Sequence, residues 1–321
     1  MKEIFCTLGP SSTNPKFLKN IKRLGVTLVR INLSHTKIKD LSKIIRKIRK
    51  YTNIPICIDT EGAQIRTALC KKKFLRINQF IKISNEKKSK DLTLYPNISN
   101  KVKRSSILDI GFENLKIKIV KKNKNFLFGK VISSGYLEKN KGVHIINQKI
   151  KLSPLTNKDL ESIKIAKKFN IKNYALSFTN SEKDVIFFNK ILPRVRKIYK
   201  IETKNAVKNL NSILNLSQEI LIDRGDLSKD VDLIKIPSTQ RKIQKIAKRK
   251  RKKVFVATNL LESMIKNSYP TRAELNDIYN CLELGSNGLV LAAETAIGKW
   301  PLNCVKILSS LIKNFQTENK R

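Results

Sequence analysis

Residues 197–227 read KIYKIETKNAVKNLNSILNLSQEILIDRGDL: a short apolar run, KIYKIE, then a longer amphipathic stretch, then a second apolar run, EILID. The runs have the length of strands and the stretch between them that of a helical segment, which predicts the strand, helix, strand unit of a parallel sheet. The same alternation recurs outward in both directions. EIFCTL from Glu3, TLVRIN from Thr27, IPICID from Ile54, NYALSF from Asn173, KVFVAT from Lys253 and GLVLAA from Gly288 complete a set of eight strand candidates. Eight successive βα units predict an α/β fold in which the sheet closes on itself, a (β/α)8 TIM barrel.

The pattern changes only after the third strand. FLRINQFIKIS, NLKIKIV and FLFGKVIS alternate apolar with polar residues and are separated by turns rich in Asn, Lys and Gly, as antiparallel strands are. This predicts a small β-barrel domain over residues 67–150, a β-rich lid inserted into a catalytic barrel made of residues 1–66 and 151–321.

Composition excludes several other classes. A hydrophobic content of 40% is ordinary for a globular chain and too high for a disordered one. No run of eighteen apolar residues occurs, and MKEIFCTLGP enters strand-like sequence at once, so neither a membrane span nor a secretory leader is expected. The expected location is cytoplasmic. Cys6, Cys57, Cys70, Cys281 and Cys304 are odd in number and never spaced as CxxC, and only His35 and His144 could join them, which argues against a disulfide scaffold or a zinc site. The formal charge of +42 raises nucleic-acid binding as a question. Lysine, however, travels with isoleucine and asparagine throughout, as when a whole proteome drifts toward A- and T-rich codons. The run RKRKK at 249–253 reads as a solvated helix end before a strand. Anionic small molecules would be steered by this charge, and no specific nucleic acid is expected as a partner.

In such a barrel the active site lies at the carboxyl ends of the strands. Polar residues are dense there: Arg30, Asn32, Ser34 and His35 in RINLSH; Asp59, Thr60 and Arg66 in DTEGAQIR; Lys200 and Glu202 in KIET; Gly225 and Asp226 in DRGDL; Thr258 in ATNLLES; Glu294 in AAET. One carboxylate after a strand is as readily a helix cap as a ligand. Six clusters on consecutive strands are a ring. Glu202 and Asp226 offer hard oxygens for Mg2+, with Lys200 and Arg30 as cations for a phosphoryl group. Each has a plainer reading, Asp226 as a turn residue, Lys200 as one more lysine and His35 as a local hydrogen-bond partner. Lys200 and Glu202 are two residues apart and so share a strand face, an arrangement that is costly unless used.

Taken together, IFCTLGPSS, RINLSH, DTEGAQIRT, KIE, DRGDL, ATNLLESMI, PTRAELNDI and LAAETAIGKWP resemble the pyruvate kinase family, in that family's order and from Met1 to about residue 316. The resemblance implies transfer of phosphate from phosphoenolpyruvate to ADP with Mg2+ (or Mn2+) and usually K+. It implies that Arg30 reaches the transferring phosphate, that Lys200 stabilises it, and that Glu202 and Asp226 ligate the divalent metal. Gly225 and Asp226 would offer backbone N–H groups to the substrate carboxylate, with Thr258 near the enolate carbon. Asn32, Ser34, Asp59 and Thr60 correspond to the K+ site, and Asn32, His35, Arg66 and Lys141 to nucleotide contacts. Arg272 falls in a subunit-contact segment, and a homodimer is expected. The chain departs from the family pattern at Gln64, where an acid that accompanies K+ dependence is common, at Ile110, where a second acid is usual, and at Ser228, where glycine is usual. The chain ends at Arg321, before the family's effector domain would begin, so hyperbolic kinetics without sugar-phosphate control are expected. Two other functions fit the composition less well: a related Mg2+-dependent barrel lyase acting on phosphoenolpyruvate or pyruvate, and a decayed polyanion-binding or scaffolding remnant.

Overall fold

The fold is given by a computed structural model that describes residues 2–68, 70–86, 91–111, 114–146, 148 and 150–318. The chain divides into two compact units, residues 1–62 with 154–321 and residues 63–153.

The first unit is a closed barrel of parallel strands. In chain order they are β1 (Glu3–Leu8), β2 (Val26–Asn32), β3 (Ile56–Asp59), β4 (Asn173–Leu176), β5 (Arg196–Ile201), β6 (Glu219–Asp223), β7 (Lys253–Ala257) and β8 (Gly288–Leu291). Each pairs with its sequence neighbour, and β1 closes on β8 with Glu3 opposite Gly288. A Cβ at Gly288 would lie 2.4 Å from the Glu3 carbonyl oxygen, so glycine is what lets the closing strands approach. Alternate residues of the strands point inward or outward. The inward layer holds Phe5, Leu28, Cys57, Ala175, Ile198, Leu221, Phe255 and Val290, a residue from every strand. The outward residues pack under amphipathic helices such as Ile38–Tyr51, which buries Leu41, Ile45 and Ile48 at helical spacing. Helices Asn157–Lys168 and Arg272–Glu283 open on capping boxes, Thr156 with Asp159 and Thr271 with Glu274, which fix where each leaves its loop.

At the amino-terminal end of the barrel, the Arg196 guanidinium lies 5.5 and 5.6 Å from the rings of Phe5 and Phe255 and is paired with Glu3 and Glu219 at 2.9 and 2.7 Å. It stoppers that end. The opposite end, where β2, β3, β5 and β6 finish in Asn32, Asp59, Ile201 and Asp223, is polar.

The second unit is a smaller closed barrel of strands Ile65–Thr67, Phe80–Ser84, Leu92–Tyr95, Ile107–Ile110, Leu115–Lys122, Phe126–Ser133 and Gly142–Ile145 around a core of Ile, Leu and Val. Two features differ from the expectation. Phe80–Ser84 and Leu92–Tyr95 pair in parallel, although over two residue pairs alone. The boundary also precedes Arg66, because Ile65 and Arg66 pair antiparallel with Val143 and Gly142 and belong to this barrel. No helix among the described residues is long and apolar enough to cross a membrane.

Candidate active site

The carboxyl ends of β2, β3, β5 and β6 bring together buried groups of both signs. Lys200, near the end of β5, is 4% exposed, and its Nζ lies 3.0 Å from Glu202 Oε2, 3.1 Å from Asp223 Oδ2 and 3.7 Å from Asp59 Oδ1. It also donates to Ser177 Oγ at 3.2 Å. Burial alone would lower the ammonium's pKa, but Asp59, Glu202 and Asp223 together outweigh it and hold the group well above its ordinary value. The plain reading of Lys200 as a surface lysine is therefore wrong. Arg30 on β2 is equally buried; its Nε donates to Thr7 Oγ1 at 3.0 Å and its Nη1 lies 3.4 Å from Asp59 Oδ2.

The carboxylates divide by environment. Glu202 accepts the Phe178 N–H at 2.6 Å on Oε1, while its buried Oε2 has the Lys200 ammonium beside it without hydrogen-bond alignment. Burial pushes this carboxyl up to about 8, against the pull of Lys200 and with help from the nearby charges of Asp226 and Asp223. Asp223 is also buried, which would raise it, but Lys200 and Arg30 prevail and keep it below the usual carboxylate range. Oxygens of Glu202, Asp223 and Asp226 lie within 4.8 Å of one another. Asp226 stands in the single turn Arg224–Leu227 after β6 and is half-buried, with Lys229 2.7 Å away. Glu202 directly follows the end of β5, whereas Asp223 closes β6 and Asp226 lies in the turn after it.

Thr258 sits just past β7 with φ 70°, followed by Asn259 at φ 52°. For a β-branched residue this is a strained backbone. Arg224 holds the turn by donating to the carbonyls of Thr258 (3.1 and 2.7 Å) and Asn259 (3.0 Å), itself anchored 2.6 Å from Asp277. The turn presents Thr258 Oγ1 to the Gly225 N–H at 2.7 Å, while the Asp226 N–H points to Asp223 Oδ1 at 3.5 Å. The two amides assigned by resemblance to a substrate carboxylate are therefore met here by the chain's own side chains.

Asn32 and Asp59 are register partners on β2 and β3. Asn32 Oδ1 accepts from the Ser34 N–H at 2.8 Å, and Thr60 accepts twice from Ser177, on Oγ1 from the N–H at 3.0 Å and on its carbonyl from the hydroxyl at 2.7 Å. His35 lies exposed in the turn after β2. Glu294 is not in the cluster; its carboxylate holds the N–H groups of Leu261 and Ala292 at 3.3 and 2.7 Å. In the second unit Arg66 lies on Ile65–Thr67, and Lys141 pairs with Glu138 at 3.3 Å.

Residue-by-residue reading missed Asp223, Ser177, Phe178 and Arg224. Asp223 had a signal: it is an acid ending an apolar run, EILID.

A family model described as "Pyruvate kinase, barrel domain" matches residues 1–305. The chain belongs to the pyruvate kinase family. It is 32% identical to pyruvate kinase of Thermotoga maritima, over 97% of this chain and 70% of that relative, and 30% identical to that of Borreliella burgdorferi, over 100% and 69%. The crystal structure of Cryptosporidium parvum pyruvate kinase superposes with a TM-score of 0.91 at 29% identity, covering 98% of this chain and 70% of that one. These likenesses support pyruvate kinase function and place the chain among the transferases of that family.

Proposed function

We propose that this chain transfers the phosphoryl group of phosphoenolpyruvate to ADP, giving pyruvate and ATP, at the carboxyl ends of the barrel strands. The observation that carries the reading is the buried Lys200 ammonium, charged and fixed among Asp59, Glu202 and Asp223. Phosphoryl transfer builds charge on equatorial oxygens, and a cation held in a water-poor site stabilises that charge without reorganising. Arg30, oriented by Thr7 and Asp59, is the second such cation. Both are anchored before substrate arrives, which is what preorganisation requires. Thr258, held in a strained turn with its hydroxyl beside the Gly225 N–H, is the residue that the family resemblance puts near the enolate carbon.

The family uses Mg2+, and the residues fit it. Hard carboxylate oxygens of Glu202, Asp223 and Asp226 converge, and the buried Glu202 Oε2 has the Lys200 ammonium 3.0 Å away without a hydrogen bond to it. Glu202 and Asp226 would hold the ion, which when bound neutralises phosphoryl oxygens. The K+ set fits less well: Asn32 Oδ1 and both oxygens of Thr60 are engaged within the chain, and Asp59 faces Arg30 and Lys200, so no role is derived for K+. The test is the amount of pyruvate and ATP formed by purified protein from phosphoenolpyruvate and ADP, with Mg2+ and with a chelator, each with and without K+. Equimolar, metal-dependent products support the proposal; metal-replete protein that yields neither defeats it.

A further inference from the structure

Asp159 stands in the first turn of helix Asn157–Lys168 and is completely buried. The capping box of that helix uses one of its oxygens: Oδ2 accepts the Thr156 N–H at 2.9 Å and the Thr156 hydroxyl at 3.0 Å. The carboxylate also reaches the loop after β3, where Oδ1 accepts the Glu61 N–H at 2.7 Å and Oδ2 the Gly62 N–H at 3.1 Å. Each of these partners is a donor. An amide in place of the carboxylate would turn its own NH2 toward one set of them, so the position calls for an acid. Capping alone would leave Oδ1 without a use.

The loop that Asp159 holds is the one that fixes Ser177. Thr60 accepts from the Ser177 N–H at 3.0 Å and from its hydroxyl at 2.7 Å. Gly62, with φ 70°, lies so close that a Cβ there would meet the Ser177 Cβ at 2.8 Å. Ser177 Oγ in turn accepts from the Lys200 ammonium at 3.2 Å, and Asp59, which precedes Thr60, lies 3.7 Å from Lys200 and 3.4 Å from Arg30. Thr60, Glu61, Gly62 and Ser177 are all buried, so these contacts form a packed path with little room to slip. We propose that Asp159 is a positioning residue for Lys200: through Glu61 and Gly62 it sets the loop, the loop sets Asp59 and Ser177, and these hold the ammonium in place. The inference deepens the proposed phosphoryl transfer and rests on it for the task of that ammonium. The alternative is that Asp159 serves the helix cap and overall stability alone.

Two variants of the whole chain separate these readings. Thr156→Ala removes the side chain that completes the capping box and spares the bonds to Glu61 and Gly62, whereas Asp159→Asn disrupts those bonds. Trace acetylation with acetic anhydride, read residue by residue by mass spectrometry, reports how tightly Lys200 is held and needs no turnover. Asp159→Asn is expected to label Lys200 about tenfold faster than wild type, with exposed lysines unchanged, because a buried donor left unsatisfied favours local opening. Its kcat for ATP formation, measured well below the melting temperature, is expected to fall about 10- to 100-fold with pyruvate proton exchange far less affected, and to fall no further when Lys200→Met is added. Thr156→Ala should melt earlier yet keep Lys200 labelling and kcat near wild type. The inference is overturned if Asp159→Asn lowers the melting temperature alone, or if Thr156→Ala matches it in Lys200 labelling. Should Asp159→Asn not fold, as judged by circular dichroism, Gly62→Ala decides, because its Cβ displaces Ser177 directly. Faster Lys200 labelling in that variant supports the path, and wild-type labelling overturns it. Wild-type protein that makes no ATP would reject the kinase proposal while the labelling still decides this inference. Active wild-type protein with unchanged Lys200 labelling in Asp159→Asn would do the reverse.

Discussion

In Glu202 a single side chain links the stability of the fold to the proposed metal site. Its carboxyl ordinarily ionises near 4.5 and is pushed up to about 8 in the fold, chiefly by burial. Between those values the unfolded chain has released a proton that the folded chain retains, so stability conferred by this group is present at low pH and lost as pH rises toward 8. A divalent ion needs the ionised carboxylate and therefore competes with the proton. Mn2+ should raise the melting temperature more at pH 8 than at pH 6 in thermal scans, and an equal shift at both would remove Glu202 as the group that couples proton to metal. At this scale the sequence was partly legible. Lys200 and Glu202 could be paired because a strand repeats every two residues. Asp223 could not be ranked above a helix cap, because its value comes from β5, which ends at Ile201, far back along the chain, but is adjacent in the sheet through Ile201 and Ile222.

Elements were the most legible level. β1 and β6 are bounded as their apolar runs are, and the eight runs all became barrel strands. Ends were harder where the backbone turns sharply. NYALSF and KVFVAT stop at Leu176 and Ala257 because Phe178 and Thr258 adopt φ of 54° and 70°, conformations that no apolar pattern announces. The Arg66 boundary was missed for a similar reason: a three-residue strand is defined by its partner, Gly142–Ile145, not by its own sequence. The same level separates stability from catalysis. Arg196 begins β5 and Lys200 lies near its end, so one strand carries the stopper at one mouth and the proposed catalytic cation at the other. Arg196→Met leaves Glu3 and Glu219 without their strongest partner and should cost about 2 to 4 kcal/mol in chemical denaturation. Turnover below the transition should stay near wild type; a large fall would mean that the two ends of the barrel are coupled.

For the whole molecule the dominant fact is a formal charge of +42. A reaction on anionic substrates within such a field should gain in encounter rate, and the gain should be screened by salt over roughly 10 Å at 0.1 M. Raising ionic strength with a neutral-effect salt from about 0.05 to 0.3 M should therefore lower kcat/KM for phosphoenolpyruvate several-fold while kcat changes little. A kcat that falls in step would point to salt acting on the site itself.

The central claim is that this barrel performs phosphoryl transfer through a buried, preorganised ammonium. It is tested most directly by comparing Lys200→Met with wild type in two assays on the same preparation: ATP formation from phosphoenolpyruvate and ADP, and exchange of the methyl protons of pyruvate with solvent. The account predicts a folded variant whose turnover in ATP formation falls by roughly three orders of magnitude, with proton exchange far less affected, because enolisation needs no clamp on a phosphoryl group. Loss confined to KM, or equal loss in both assays, would show Lys200 to be a binding or structural residue and contradict the account.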